Sequence, residues 1–473
     1  MPLMTKPKAQ ASLTRILGLG FGVAVIFGGT VGAGILRLPG VIAGPLGSAK
    51  LILLVWALGG IYSILGAISV SELGAAMPQA GGFYVYARHA YGPAAGFCIG
   101  WSDWLNNCAA IAFVSLTAAE YLLALSPPNT GHMPHLQSAI ALGLICLVCL
   151  LHWFGLRLGS TAQKVTSSLT ALTFLALVVA CFLHSPAGVL PAAAPIQAAP
   201  IQATTLTSAQ SPAHGFSIFA MLVPVFVVLP AIAMAYDGWY EAIYFTEEDT
   251  NPAKHLPRAM IGGVVLVTGL YLLMNLAFLH VLTIPQLAKS NLAAADAARI
   301  VFPAWSSIPD ASGTFVTVLS LMTLLSFLNA SLLGAPRILF AVGRDGLFSG
   351  AATVGKGGTP RVALLVTAAT AAGFALSGRI EDILGVAAIL IAVEYCVNYS
   401  AVFVLRWREP QLPRPFRAWG YPWTTALVLL GSLVFLVGDV RQDWTSASRA
   451  AVLLALALPV YWWRGRNAPA HIS

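Results

Sequence analysis

The sequence predicts an all-α integral membrane protein, and three observations carry that prediction. Of 473 residues, 58% are hydrophobic and only 9% are charged, where a soluble domain carries roughly 25% charged residues. Uncharged apolar runs such as Leu51 to Val70 recur along the whole chain, and about 20 such residues suffice for a helix to cross a bilayer. Two of the runs are interrupted by glycine: Gly28-Gly29-Thr30-Val31-Gly32-Ala33-Gly34-Ile35 in the first and Ala235-Tyr236-Asp237-Gly238-Trp239 in the sixth. Backbone freed inside a bilayer must find partners other than lipid, so such breaks belong where protein or a water-filled cavity surrounds them.

Taken in order, twelve spans are expected: 16–46 (broken), 50–71, 94–124, 137–154, 163–183, 216–245 (broken), 259–282, 313–342, 361–377, 383–406, 422–438 and 448–463. The third and eighth are long enough to imply tilt. The longest connections, 184–215 and 283–312, leave no soluble domain, and the first is rich in Pro, Ala and Gln with no charged residue. No small-residue cleavage site follows the first apolar stretch, so it is a retained span and not a signal peptide.

Orientation follows from the basic residues. With the N-terminus in the cytoplasm, 18 of the 25 Lys and Arg residues fall inside, and 7 fall outside (Arg37, Lys50, Lys289, Arg299, Arg379, Arg441 and Arg449). This positive-inside bias puts both tails, 1–15 and 464–473, in the cytoplasm. The net charge of +8 then belongs to a surface facing anionic lipid, without invoking nucleic acid. All six cysteines (Cys98, Cys108, Cys146, Cys149, Cys181, Cys396) lie within expected spans, so disulfides are not implied. Cys146 and Cys149 have CxxC spacing, but on an apolar helix without His or charged neighbours they are packing residues. The histidines, His132 and His135 included, show no metal-ligand spacing, and no cofactor is expected.

Unwinding at Gly32-Ala33-Gly34 leaves a half-helix beginning near Ile35, whose unpaired N–H groups carry partial positive charge. Such an end holds a carboxylate without a lysine or arginine. Small residues matter there because the ligand must approach the backbone itself. Free carbonyls before the break, with those near Met234 and Ala235, can accept bonds from an ammonium group, so a zwitterion bearing both groups on one carbon fits between them. Glycines also permit close helix packing of the GxxxG kind. The matching break in the sixth span favours binding, because paired breaks in two halves point to a transporter's site.

These segments sit within a longer series of motifs. Gly32-Ala33-Gly34-Ile35 is followed by Pro39-Gly40. Ser71-Glu72-Leu73 and Met77-Pro78 lead to Ala80-Gly81-Gly82-Phe83-Tyr84-Val85-Tyr86 and Tyr91-Gly92-Pro93. After the second break come Glu247-Glu248-Asp249-Thr250-Asn251-Pro252 and Leu256-Pro257-Arg258. Span eight ends with Asn329-Ala330, Arg337 and Gly343-Arg344-Asp345-Gly346-Leu347. Thr359-Pro360-Arg361, Arg414-Pro415-Phe416-Arg417 and Gly420-Tyr421-Pro422 close the series. In this order, over nearly the whole chain, the motifs resemble the amino acid–polyamine–organocation (APC) permeases, and the bacterial relatives of the L-type exchangers look closest.

The resemblance implies a LeuT-like inverted repeat of five plus five spans, 16–183 (TM1–TM5) and 216–406 (TM6–TM10), separated by an extracellular loop at 184–215. Two additional helices follow over 407–463 (TM11–TM12), and helices 1 and 6 are discontinuous. It also implies that Gly32, Ala33 and Gly34 meet the substrate carboxylate, with Thr30, Met234, Ala235 and Asp237 near its amino group or side chain. Many relatives carry an aromatic gate at the position of Met234. Related carriers also place a lysine seven residues after a Gln in span five; counting from Gln163, that position is Thr170. Thr170 with Ser326 could supply oxygens to a sodium ion, or both hydroxyls bond back to their own helices. Light-subunit relatives in animals pair through a cysteine after span three. Ser126 to Leu136 contains none, so no disulfide-linked partner is expected.

Ionisable residues inside spans each invite a functional reading. Asp237 is placed to attract an ammonium or to cap half-helix N–H groups. Glu241, at i+4 from it, would repel it if both were ionised, and either carboxylate could take part in proton coupling. Arg37 is placed to meet an acidic side chain or a protein carboxylate. Asp103, Glu120 and Glu394 are expected to pair between helices. Glu72, Arg337, Arg344 and Asp345 suit a salt-bridge network closing the inner gate. The expected function is alternating-access transport of an uncharged amino acid, with Ile35, Met234 and Trp239 as the apolar surroundings of its side chain and Gly238 among the binding residues; the coupling ion, H+ or Na+, is left open. A polyamine or cationic amino acid carrier is the alternative. A membrane enzyme would need a nucleophile with a base, or a metal cluster, and neither is found.

Overall fold

The computed structural model describes residues 13–124, 134–184, 218–302, 311–348, 350–355 and 357–465. The expected cytoplasmic tails over 1–12 and 466–473, the loop at 126–133 and most of the connection at 184–215 lie outside the described residues. Among the described residues the chain is helical, with one isolated bridge between Leu17 and Asp249.

The first apolar run forms α1 (Leu19–Thr30) and α2 (Ala33–Leu46). α3 (Ala49–Ala76), α4 (Phe83–Tyr91) and α5 (Pro93–Ala124) follow, then α6 (Pro134–Trp153), α7 (Leu156–Leu183) and α8 (Ile218–Ala235). After a 3-10 helix at Glu241–Phe245 come α9 (Pro252–Val281), α10 (Ile284–Ala288), α11 (Ala293–Val301) and α12 (Ala311–Arg344). The chain ends with α13 (Arg361–Leu376), α14 (Ile380–Arg408), α15 (Trp423–Gln442) and α16 (Trp444–Gly465).

Eight of these, α3, α6, α7, α9, α12, α14, α15 and α16, are long and apolar enough to cross a membrane. α1 and α2 make a ninth if counted as one span bent by 46°. The bend has a plain cause: three glycines in five residues remove helix propensity, and Val31 and Gly32 adopt extended backbone (ψ 96 and −157). α5, α8 and α13 coincide with the expected third, sixth and ninth spans. α5 carries Asp103, Asn106, Asn107 and Glu120, while α8 and α13 are short, at 18 and 16 residues.

The sixth region departs from expectation in one respect. The helix stops at Ala235 and residues 236–240 form turns, so Asp237 and Glu241 do not face each other across an α-helical turn. The Glu241 N–H instead donates to the Gly238 carbonyl at 3.1 Å, an i to i+3 bond that tightens the chain into the 3-10 helix.

Packing puts these interruptions at the centre. α3 lies along α9, α5 along α12 and α6 along α13, and α1 packs between α7, α9 and α12. Two apolar clusters result. One holds Phe27, Val31, Ile35, Trp56, Ile232, Ala235, Tyr236 and Tyr271. The other holds Phe21, Val25, Trp239, Tyr240, Tyr244, Phe245 and Tyr399. The second break falls where the chain passes from the first cluster (Ala235, Tyr236) to the second (Trp239, Tyr240), and the first break lies within the first cluster, between Val31 and Ile35.

Candidate functional site

The two breaks cross each other backbone to backbone. Gly238 has a φ of +97°, which disfavours any side chain, and a Cβ there would collide with the Gly29 carbonyl and lie 3.1 Å from the Thr30 nitrogen. Gly34 faces Ala235, and a Cβ on it would lie 3.3 Å from the Ala235 Cβ. Tyr271, on α9, ties the breaks together: its hydroxyl lies 3.0 Å from both the Thr30 and the Ala235 carbonyl oxygens. One hydroxyl hydrogen serves one carbonyl at a time, so the other keeps a lone pair for an N–H donor. α2 begins at Ala33 with no side-chain cap from Gly32, leaving its first N–H groups without a capping partner. A cluster of donors thus begins within a few residues of a pair of acceptors.

The other residues singled out in the sequence sit around this crossing. Thr30 is buried and its hydroxyl has no hydrogen-bond partner among the described residues. Ile35, Ala235 and Trp239 are buried. Trp239 lies against Tyr395 and Tyr399, with ring centroids 5.7 and 6.5 Å away. Asp237 is half-buried and accepts a hydrogen bond from the Tyr395 hydroxyl. Met234 stands apart: it is 51% exposed, on the stripe of α8 that also exposes Val223, Phe226 and Val227. Tyr271 and Tyr395 were not singled out in the sequence. They reach the breaks from α9 and α14, and no local motif marks a tyrosine brought in from another helix.

Thr170 and Ser326, expected to supply oxygens to a sodium ion, make no hydrogen bond to each other among the described residues. Thr170 is buried with an unpartnered hydroxyl, while Ser326 binds across helices and not to its own. Ser167, about one helical turn before Thr170, carries a hydroxyl on α7 that meets Ser326. Its hydroxyl donates to the Ala24 carbonyl at 2.7 Å and lies 3.1 Å from the Ser326 oxygen. Gln163 fills the middle, its Nε2 lying 3.3, 3.0 and 3.3 Å from the oxygens of Ala24, Ser167 and Ser326. Asn329 donates to Gln163 Oε1 at 2.6 Å and so fixes the amide's orientation. A neutral donor therefore occupies the oxygen cluster.

The set expected to close the inner side is split by the structure. Arg337 makes a two-armed pair with Glu248, at 3.1 and 3.0 Å, with both side chains buried. Burial holds the Glu248 carboxyl above the ordinary glutamate range even though Arg337 lowers it. Arg344 pairs with Glu247 at 2.8 Å, and Asp345 is bonded by Tyr84 and Arg88. These contacts tie the end of α12 to α4 and to the turn after the second break. Glu72 belongs elsewhere: it accepts from Arg406 at 2.8 Å, lies 3.3 Å from the Arg414 Nε and accepts from the Ala418 N–H at 2.7 Å. It clamps the connection between α14 and α15. Glu120 accepts from Gln137 at 2.8 Å, joining α5 to α6 as expected.

Residues 21–457 match the family described as amino acid permease. The chain is 26% identical over 457 residues to the serine/threonine exchanger SteT of Bacillus subtilis (strain 168), covering 95% of this chain and 97% of that protein. It is 29% identical over 476 residues to the Asc-type amino acid transporter 1 of Mus musculus, covering 98% of this chain and 84% of the relative. Identity to the large neutral amino acids transporter small subunit 2 of Mus musculus is 30% over 429 residues, covering 87% and 76%.

Proposed function

The chain belongs to the amino acid permease family, and from that premise we propose that it carries neutral amino acids across the membrane by alternating access. It is a multi-pass membrane protein and a transporter, not an enzyme. The observation that carries the proposal is the crossing of the two breaks, with uncapped N–H groups of α2 on one side and the Thr30 and Ala235 carbonyls on the other. A substrate carboxylate would take the first and its ammonium the second. Backbone groups read only what all α-amino acids share, so side-chain choice falls to the neighbours: Ile35 and Trp239, with Met234 at the exposed edge.

The proposed architecture has twelve spans, with α1–α2 and α8–(241–245) as discontinuous spans one and six. Packing supports an inverted repeat of 16–183 on 216–406. α3 lies on α9, α5 on α12 and α6 on α13, so spans two, three and four of the first repeat each meet their counterpart in the second. A two-fold axis near the crossing generates that pairing. With both termini cytoplasmic, as in a bacterial inner membrane, the Arg337, Arg344 and Asp345 contacts close the inward side. Gln163 Nε2 among three oxygens supports transport without sodium, and exchanging sodium for potassium in the assay is expected to leave uptake unchanged.

Reconstituted vesicles loaded with one unlabelled amino acid and offered labelled serine, alanine, leucine, arginine or putrescine test the proposal. Exchange of the neutral labels is expected, and Gly34→Trp, which fills the space against Ala235, is expected to abolish it. Preference for putrescine or arginine would turn the assignment to a cationic cargo, and no exchange of any label would end it.

A further inference from the structure

Four carboxylates lie together beside the second break. Asp103 and Glu394 are buried on α5 and α14, Glu241 is buried at the start of the 3-10 helix, and Asp237 is half-buried in the turn. Asp103 accepts from the Tyr244 hydroxyl at 2.7 Å and from the Asn107 amide at 3.1 Å. Glu394 accepts from Ser102, and Asp237 from Tyr395. Glu241 feels the charge of Asp103 and Asp237, as does Glu394. None of the four joins an ion pair among the described residues.

Glu241 differs from the other three. Asp103, Asp237 and Glu394 each accept a side-chain hydrogen bond, whereas the Glu241 carboxylate accepts none among the described residues, and, like Oδ2 of Asp103, its Oε2 is buried without a partner there. Its Cγ lies against Gly29 of α1, where a Cβ would approach to 2.6 Å, and its Oε2 would be 3.0 Å from a Cβ on Gly334 of α12. It is therefore pressed into the contact between α1, α12 and the chain leaving the second break. Among the described residues no cation pairs with it from the packed elements. α1 has no titratable residue. On α12, Arg337 and Arg344 are held by Glu248 and Glu247. On α9, Lys254 and Arg258 are exposed, His255 bonds Asp249, Tyr271 bonds the break carbonyls and His280 lies against the His184 carbonyl. On α4, Tyr84 and Arg88 bond Asp345. From α5, α14 and its own turn the groups near it are Asp103, Glu394, Tyr395, Asp237, Tyr240 and Tyr244, while Arg406 and Arg408 at the end of α14 are held by Glu72 and the Ala90 carbonyl.

An ionised carboxylate buried without a donor or a counter-charge is held at heavy cost, and like charges beside it add to that cost. A bound proton removes both. We infer that Glu241 is a proton-binding site whose proton moves in the same transport event as the substrate, an inference that rests on the permease reading. In each cycle an O–H bond forms on Glu241 with a proton from water on one side of the membrane and breaks to water on the other, with no redox partner. Rocking of α1 and the second break against α12 changes what surrounds Glu241, and that links proton affinity to which side is open.

The test uses wild-type protein in vesicles with a pH-sensitive dye inside and a labelled neutral amino acid outside. Acid outside by one pH unit is expected to raise accumulation by about tenfold if one proton accompanies each substrate, and adding substrate should acidify the lumen. Glu241→Gln is expected to lose both responses when each is expressed relative to exchange in the same vesicles, and Glu241→Asp to recover them in part. Glu120→Gln, whose carboxylate joins α5 to α6, is expected to keep both. Wild-type vesicles that exchange amino acid but show neither response overturn the proton inference and leave the permease reading intact. Vesicles that exchange nothing overturn both. A Gln variant with undiminished responses removes Glu241 from the role. If that variant does not reconstitute, the wild-type dye signal decides.

Discussion

Arg337→Ala is expected to destabilise the protein by about 3–5 kcal/mol, because it leaves the fully buried carboxylate of Glu248 without its partner. The arginine does more than neutralise charge. Its Nε and Nη2 answer both Glu248 oxygens, Nη1 donates to the Leu333 carbonyl at 2.7 Å, and the guanidinium lies 5.3 Å from the Phe245 ring centre. Removing it takes away the influence that lowers the Glu248 carboxyl and leaves the burial that raises it. A glutamate whose folded pKa lies above its unfolded value contributes stability that is full below the unfolded pKa and is lost as pH rises through the folded one. The deficit of Arg337→Ala should therefore be largest near neutral pH and shrink as the buffer is acidified toward the ordinary glutamate range. Thermal unfolding in detergent over a pH series measures this. A variant with wild-type Tm at neutral pH, or a deficit that does not change with pH, would contradict the assignment of Glu248 as a buried partner. Arg417→Ala, at an exposed residue outside the ion pairs found among the described residues, is the comparison and should leave Tm nearly unchanged.

How much of this was legible from residues alone varies with the distance over which the interaction acts. The break in the first span was readable because Gly28, Gly29, Gly32 and Gly34 lie side by side, and backbone propensity is a local property. One end of each of α3, α7 and α9 is readable for the same reason: the expected spans 50–71, 163–183 and 259–282 meet Ala49, Leu183 and Val281 to within one residue, but stop short of Ala76, Leu156 and Pro252, where the helix runs on past the apolar stretch. Local reasoning failed where partners come from other helices. Counting from Gln163 marks Thr170, but it carries no signal that Ser167, on the same face one turn earlier, bonds Ser326. Glu72 was grouped with Arg337 by its place near the same end of a span, although its partners, Arg406 and Arg414, lie more than 300 residues away in sequence. Asp237 and Glu241 were treated as helical neighbours, and the turn at Gly238 separates them. Tyr271 had no sequence signal at all, because the carbonyls it serves exist only after two distant segments have both unwound.

Gly238→Ala is expected to abolish transport while leaving a folded protein, which makes it the sharpest test of the crossing itself. Two effects combine. The backbone at φ +97° imposes about 1–3 kcal/mol of strain on any residue with a Cβ. The added methyl also meets the carbonyl of Gly29, and this neighbour is backbone at the end of α1, with no flexible side chain to swing aside. The crossing must open for the alanine to fit, and that moves the Thr30 and Ala235 carbonyls away from the Tyr271 hydroxyl they share. A distortion worth only 1.4 kcal/mol in the rate-limiting step already costs about tenfold in rate, so strain and collision together predict a loss beyond that. Gly373→Ala on α13 supplies the contrast, since a Cβ there meets nothing within 4 Å and alanine favours a helix by up to about 1 kcal/mol over glycine. It should transport normally, with an unchanged or higher Tm. Labelled amino acid binding to detergent-solubilised protein separates a lost site from lost mobility: Gly238→Ala should fail to bind while eluting as a monodisperse species. Wild-type binding and exchange by Gly238→Ala would mean that substrate is held away from the point where the two breaks touch.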